Sequence, residues 1–72
     1  MDFIVESGRE TLAVEVKAST TVARVDTQGF RSFADYYGRR HRPVMVYLGA
    51  TRKVVDGIEV LPWQALLETL RL

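Results

Sequence analysis

The chain has no cysteine, and only two prolines and five glycines occur among its 72 residues. The lack of cysteine excludes a disulfide scaffold and any thiolate metal site. It contains no run of about 18 apolar residues that would cross a membrane, and no cationic segment followed by an apolar one that would direct secretion. We therefore expect a cytoplasmic globular protein with no membrane partner.

The chain also has no large excess of charge of one sign. It contains ten Lys and Arg and nine Asp and Glu, which give a formal net charge of +1. Proteins that bind nucleic acid through bulk charge are far more basic. A contact with DNA would therefore need a local patch. The one basic run contains Arg39, Arg40, His41 and Arg42, and its three arginines are candidates for phosphate contacts. A short run of this kind is more often simply solvated.

What is present is a chain that is 47% hydrophobic, enough for one small domain over residues 1–72. A chain of this length buries only about 60% of the surface of its unfolded form, so the core is thin. The strand pattern begins at Asp2 with no element before it. We expect this domain to be a fragment of a longer protein.

Alternating residues predict two strands near the start, over residues 2–6 and 11–17. Gly8 suits the first position of a two-residue hairpin loop of type II′ formed by Gly8 and Arg9. The strand register that follows from this loop pairs Asp2 with Glu15. A loop at Ser7-Gly8 would instead pair Asp2 with Ala13. Because the two registers differ by two residues, Asp2, Glu15 and Lys17 share one face of the sheet in both.

A helix is predicted next, over residues 27–37, with Asp26 as its N-cap and Gly38 after its last turn. Its apolar stripe contains Phe30, Phe33, Ala34 and Tyr37. Residues 44–48 are apolar on both faces, which indicates a central strand.

The rest of the chain predicts a hairpin at Asp56-Gly57 and then a final helix with Pro62 in its first turn. The predicted buried stripe of that helix consists of Trp63, Leu66, Leu67 and Leu70. The order strand, strand, helix, strand, short strands, helix predicts an α/β fold, a mixed sheet covered by helices.

Two charged residues, Glu15 and Lys17, interrupt an otherwise apolar strand. Carboxylates of Asp2 and Glu15 on neighbouring strands, with the carbonyl of Val16, are hard oxygen donors suited to Mg²⁺ or Mn²⁺. Lys17 would then act as the catalytic amine that orients or deprotonates water. The alternative is that Glu15 and Lys17 point to solvent and pair with each other.

Four segments, "DFIVE", "LAVEVKAS", "D..GFRSFADYYG" and "VLPW..LL", resemble the C-terminal domain of bacterial and archaeal AAA-type ATPases. That domain is catalogued as being of unknown function and is similar to the PD-(D/E)xK nucleases. The resemblance implies a truncated restriction-endonuclease-like core, with Asp2 as the motif aspartate and Glu15 and Lys17 as its E-x-K. It also implies DNA as substrate and the ATPase region of the same chain as partner.

Further expectations follow from this resemblance. Some nucleases of the superfamily place a glutamine and a tyrosine near the site, and Gln28 and Tyr36 are the candidates here. ATP would bind only to the full-length protein, because G-x-x-x-x-G-K-[ST] is absent from this chain. The isolated fragment is expected to be inactive. The alternative function is a non-catalytic assembly domain of the ATPase. With either function, exposed apolar strand edges predict a homo-oligomer.

Overall fold

A computed structural model of the protein describes residues 2–8 and 10–70. Within them lie β1 (Phe3–Ser7), β2 (Glu10–Lys17), α1 (Thr27–Tyr37), β3 (Arg42–Tyr47), β4 (Lys53–Val55), β5 (Ile58–Pro62) and α2 (Trp63–Leu70). The strands form one sheet in the order β1-β2-β3-β5-β4. This confirms the predicted α/β class and the predicted order of elements.

The middle of the sheet is parallel and its two edges are antiparallel. β2 pairs with β3, and β3 with β5, in parallel, whereas β1 and β4 each pair antiparallel with their neighbour. The four residues from Val44 to Tyr47 are all buried, so β3 is the central strand that its apolar run predicted. Leu48 lies beyond its end and is exposed.

Both predicted hairpins form. Ser7 pairs with Glu10, and Phe3 with Val14, which confirms the Gly8-Arg9 loop over the Ser7-Gly8 loop. Gly8 has a φ of 59°, as the first loop residue requires, while Arg9, and with it the predicted turn type, lies outside the described residues. Asp56 and Gly57 have φ of 52° and 80°, the left-handed pair of a type I′ turn.

Helix α1 has the bounds that its capping residues predicted. The Asp26 side chain accepts a hydrogen bond from the Gln28 backbone N–H at 3.1 Å. Gly38 ends the helix with a φ of 67°, and its N–H donates to the Ala34 carbonyl at 3.0 Å. Glycine adopts this left-handed conformation without the steric cost of a Cβ.

Each face of the sheet carries its own apolar cluster. Met45 and Tyr47 point to the face covered by α1, and Val44 and Val46, which alternate with them, to the face covered by α2. The α1 cluster consists of Val22, Val25, Phe30, Met45, Tyr47, Ile58 and Val60. The α2 cluster consists of Leu12, Val14, Val44, Val46, Leu61 and Ala65. The thin core is therefore divided into two layers.

Two predictions for the end of the chain were wrong. Trp63 is 47% exposed and Leu67 is 40% exposed, whereas Ala65 is buried in the α2 cluster with Leu66 and Leu70 against it. Pro62 is the last residue of β5, where it pairs with Tyr47. Because α2 follows β5 with no linker, the end of the strand sets which side of the helix faces the sheet. Neither described helix has the length and apolar character needed to cross a membrane.

Candidate functional site

The β1–β2 hairpin brings the predicted site residues together. Phe3 pairs with Val14, so one step further along the same register places Asp2 opposite Glu15. The carboxylate of Asp2 accepts a hydrogen bond from the Val16 backbone N–H at 2.7 Å. Asp2 is therefore held against the end of β2, with one of its oxygens in a backbone hydrogen bond.

A depression of about 360 Å³ lies on the α1 side of this hairpin. Its lining residues are Asp2, Glu15, Val16, Lys17, Arg24, Asp26 and Met45. All four residues predicted from the hairpin line it together. The structure therefore brings these residues to one place, and their chemical roles remain predictions.

Glu15 and Lys17 make no ion pair with each other, and neither takes part in an ion pair with any other described residue. Glu15 is half-buried and Lys17 is exposed. The structure therefore does not contain the ion pair of the alternative interpretation. The exposure of Lys17 agrees with the other part of that interpretation, in which the side chain points to solvent.

The segment between β2 and α1 forms the other wall of the depression and is anchored at three points. The Leu48 N–H donates to the Ser19 carbonyl at 2.9 Å, and the Lys53 ammonium donates to the Val22 carbonyl at 3.0 Å. The Val25 N–H donates to the Asp56 carboxylate at 2.8 Å. Although it is a loop, the segment is held against the sheet.

Arg24 and Asp26 on this segment are site residues that the sequence did not predict. The signal that could have found them is the pair Val22 and Val25, which are 3% and 6% exposed within an otherwise polar stretch. These two buried valines pack the loop against the sheet and thereby position the backbone of their neighbours Arg24 and Asp26. Asp26 appeared in the sequence only as a helix cap, and in the structure it both caps α1 and lines the depression.

The oxygen donors of this depression decide which metal ion could bind there. No group of three His, Cys, Asp or Glu side chains within residues 2–8 and 10–70 could hold a metal ion. Asp2 and Glu15 offer carboxylate oxygens, and the Val16 carbonyl points to the same side as its N–H, toward Asp2. Magnesium commonly binds proteins through one or two carboxylates and keeps several waters, so this set suits Mg²⁺ or Mn²⁺.

The two auxiliary candidates do not join the site. Gln28 lies exposed in the first turn of α1, and Tyr36, near the other end of that helix, is 88% exposed. Neither side chain lines the depression. The helix that carries them contributes to the site through its N-cap residue instead.

Arg42, in the basic run, is bound by two carboxylates. Its Nε and Nη2 donate to the two oxygens of Glu59 at 2.7 Å each, and its Nη1 donates to Glu10 at 2.7 Å. The hydrogen bonds from Arg42 hold the pKa of Glu59 below its ordinary value, and those to Glu59 and Glu10 raise the pKa of Arg42. This ion triad disfavours a phosphate contact by Arg42, whereas Arg39 and Arg40 remain exposed.

A family model described as "Domain of unknown function (DUF4143)" matches residues 1–66. The chain belongs to this family. The match confirms the predicted membership in a family of domains of unknown function. No curated protein and no solved structure matches the chain. The family description of this DUF4143 domain assigns no activity, so a function has to be argued from the site itself.

Proposed function

We propose that this DUF4143 domain is a PD-(D/E)xK-like nuclease module that hydrolyses DNA phosphodiesters with Mg²⁺ or Mn²⁺, as part of an AAA-type ATPase. One observation supports this above the others: Asp2, Glu15 and Lys17 line a single depression, and Glu15 and Lys17 are not paired with each other. Carboxylates and an ammonium that line one depression without forming an ion pair are candidates for a binding or catalytic site.

The metal would be held by Glu15, by the Asp2 oxygen that does not bond to Val16, and by the Val16 carbonyl. A divalent cation bound here would neutralise charge on the phosphate and make a bound water a better nucleophile at neutral pH. The hydrogen bond from the Val16 N–H keeps the Asp2 carboxylate at the end of β2. The chain thus orients the Asp2 carboxylate before any ligand binds.

Lys17 lies two residues after Glu15 and so on the same face of β2. Its ammonium would hold the attacking water or a non-bridging phosphate oxygen beside the carboxylates. On the opposite face, Leu12 and Val14 are each 1% exposed and fix the strand in the α2 cluster. The backbone position of Lys17 is therefore set by side chains on the face of β2 opposite the site, which would take no part in the reaction.

Metal binding is tested by the thermal stability of the chain with and without Mn²⁺. We expect Mn²⁺ to raise the melting temperature of the wild type, because a ligand that binds the native state stabilises it by mass action. Glu15→Gln should remove this shift. Glu6→Gln is the matched control, since Glu6 is an exposed carboxylate on β1 outside the depression. No shift in the wild type, or an equal shift in Glu15→Gln, would contradict the proposed site.

Catalysis is tested in a longer ATPase-containing form of the protein, given Mn²⁺ and several forms of DNA. Lys17→Ala should abolish cleavage while the shift of the melting temperature by Mn²⁺ persists. Full metal binding with no cleavage in the wild type would refute the nuclease role.

A second candidate function, assembly without catalysis, is supported by the apolar surface around the β1 edge. Phe3, Ile4 and Val16 are 58%, 42% and 48% exposed, and β1 lies at the end of the sheet order. An edge strand with exposed apolar side chains is a template for pairing with another chain, here a second copy or the ATPase region. Sedimentation of the wild type and of Ile4→Lys tests self-association through this edge: assembly of two copies through β1 requires the wild type to associate and Ile4→Lys to be monomeric.

A further inference from the structure

We infer that Arg24 is the phosphate-binding residue of the depression and that a bound divalent cation switches this binding on. The inference depends on the proposed metal site and extends it to a residue outside the E-x-K pattern. The bound chemical group would be a phosphodiester of DNA, seated between Arg24 and the hairpin that carries Glu15 and Lys17.

The position of Arg24 is fixed although its side chain is exposed. Its neighbours Val22 and Val25 are buried in the α1 cluster. The Val22 carbonyl also accepts a hydrogen bond from the Lys53 ammonium of β4, and the Val25 N–H donates to the Asp56 carboxylate in the β4–β5 turn. The residue between these anchors has little freedom to move its backbone away. Arg24 consequently stays at the wall of the depression, within reach of a ligand bound there.

Arg24 has no structural role visible in the described chain. Its side chain makes no ion pair there and donates none of the side-chain hydrogen bonds. Arg42, by contrast, uses its whole guanidinium fork on two carboxylates. A guanidinium binds phosphate oxygens through two parallel hydrogen bonds, which the lysine ammonium beside it does not do.

The balance of charge makes binding depend on metal. The carboxylates of Asp2, Glu15 and Asp26 outnumber the cations Lys17 and Arg24 by one, so the depression is net negative by itself. A negative surface repels a phosphodiester. One divalent cation reverses the sign to net positive, and without Arg24 the loaded depression would only be neutral. Arg24 therefore decides whether the loaded site attracts an anion.

The experiment measures binding of a short fluorescein-labelled single-stranded DNA to the 72-residue chain by anisotropy, in EDTA and in Ca²⁺, an oxygen-seeking cation. The variants are Arg24→Ala and, as matched control, Arg31→Ala, which removes the same charge from an exposed α1 residue outside the depression. Thermal melting of each variant checks folding.

We expect Ca²⁺ to strengthen binding by the wild type and Arg24→Ala to weaken it about tenfold in Ca²⁺, the effect of one charge-assisted contact. The slope of log Kd against log salt should fall by about 0.7, as for one lost phosphate contact with a single strand. Arg31→Ala should resemble the wild type, and in EDTA all three should bind equally weakly.

Three results would overturn the inference. Equal binding by the wild type and Arg24→Ala in Ca²⁺ would do so while leaving the proposed metal site intact. Equal weakening by Arg24→Ala and Arg31→Ala would reduce the effect to general surface charge. Binding that ignores Ca²⁺ would remove the switch, and the Mn²⁺ melting experiment with Glu15→Gln would then show independently whether the metal site fails as well.

Discussion

The two ends of β2 use charged residues in opposite ways. At its beginning, Glu10 bonds to Arg42, which also binds Glu59 through both carboxylate oxygens, all at 2.7 Å. At its end, Glu15 and Lys17 have no ion-pair partner in the part of the chain that the structure describes. Residue types alone therefore do not reveal which charges of β2 are paired in the fold, and the contacts between strands do.

The paired end joins three neighbouring strands. Glu10 belongs to β2, Arg42 to β3 and Glu59 to β5, so the ion triad crosses the parallel middle of the sheet. The side chain of Arg42 is 39% exposed, and those of Glu10 and Glu59 are 44% and 38% exposed. Water screens such pairs in part, so we assign the triad a modest stabilising effect.

The largest loss of stability is expected in the buried middle of β2, because the packing of this part positions both ends of the strand. Leu12→Ala should lower the free energy of unfolding by about 2–4 kcal/mol, because it removes a side chain that is 1% exposed from the α2 cluster. Urea denaturation measures the loss. Trp63→Ala is the comparison, and we expect a loss less than half as large, since Trp63 is 47% exposed. Equal losses would mean that α2 packs differently from the arrangement described.

Next in size is the removal of the cation at the paired end. Arg42→Gln should cost about 1 kcal/mol, because it removes the shared partner of two carboxylates that water screens only in part. Arg52→Gln is the matched control, since Arg52 approaches exposed Glu68 only to 3.8 Å and should contribute almost nothing. A similar result for the two variants in urea denaturation would remove the contrast between paired and solvated charge.

The paired end should also contribute stability that depends on pH. Arg42 lowers the pKa of Glu59 below 4.5, so the folded state binds protons less readily than the unfolded state. Stability from Glu59 is then fully present above 4.5 and is lost as pH falls from there through the folded pKa. The difference in unfolding free energy between the wild type and Arg42→Gln should therefore shrink with acidification below 4.5. A difference that stays constant would show that the pair does not shift the protonation of Glu59.

The smallest change in unfolding free energy is expected at the end of β2 that carries Glu15 and Lys17, measured in the absence of metal. Glu15→Gln should change the free energy of unfolding by less than about 0.5 kcal/mol, or raise it slightly, because it removes repulsion with Asp2. Glu10→Gln makes the same chemical change on the same strand and should cost about 0.5–1 kcal/mol, since it breaks the bond to Arg42. A larger loss for Glu15→Gln than for Glu10→Gln would mean that Glu15 has a structural partner after all.

Local features of the sequence predicted the elements well, because their causes lie within a few residues. Asp26 and Gly38 delimit α1 by hydrogen bonds to residues two and four positions away. The loop residues Gly8, Asp56 and Gly57 adopt the left-handed conformations that their turns need. The register that places Asp2 opposite Glu15 follows from the length of one loop.

What escaped prediction depends on contacts between distant segments. The partners of Arg42 lie 32 and 17 residues away, and only the parallel pairing of three strands brings them together. Arg24 and Asp26 reach the site because the Val25 N–H bonds to Asp56, 31 residues further along. The exposure of Trp63 follows from where β5 ends, which a helical stripe does not reveal. The sequence therefore predicted the site residues of the β1–β2 hairpin. It did not predict Arg24 and Asp26, which lie on the segment between β2 and α1.

The local contacts of the β1–β2 hairpin should form earlier in folding than the contacts between distant strands. The β1–β2 hairpin closes over a two-residue loop, a process that takes microseconds, whereas β2 finds β3 only after the long crossover through α1 is closed. Asp2 and Glu15 can thus meet early, in a partly folded chain, while the Glu10–Arg42–Glu59 bonds need all three strands and form late. Mutations of the triad should accordingly speed unfolding more than they slow folding.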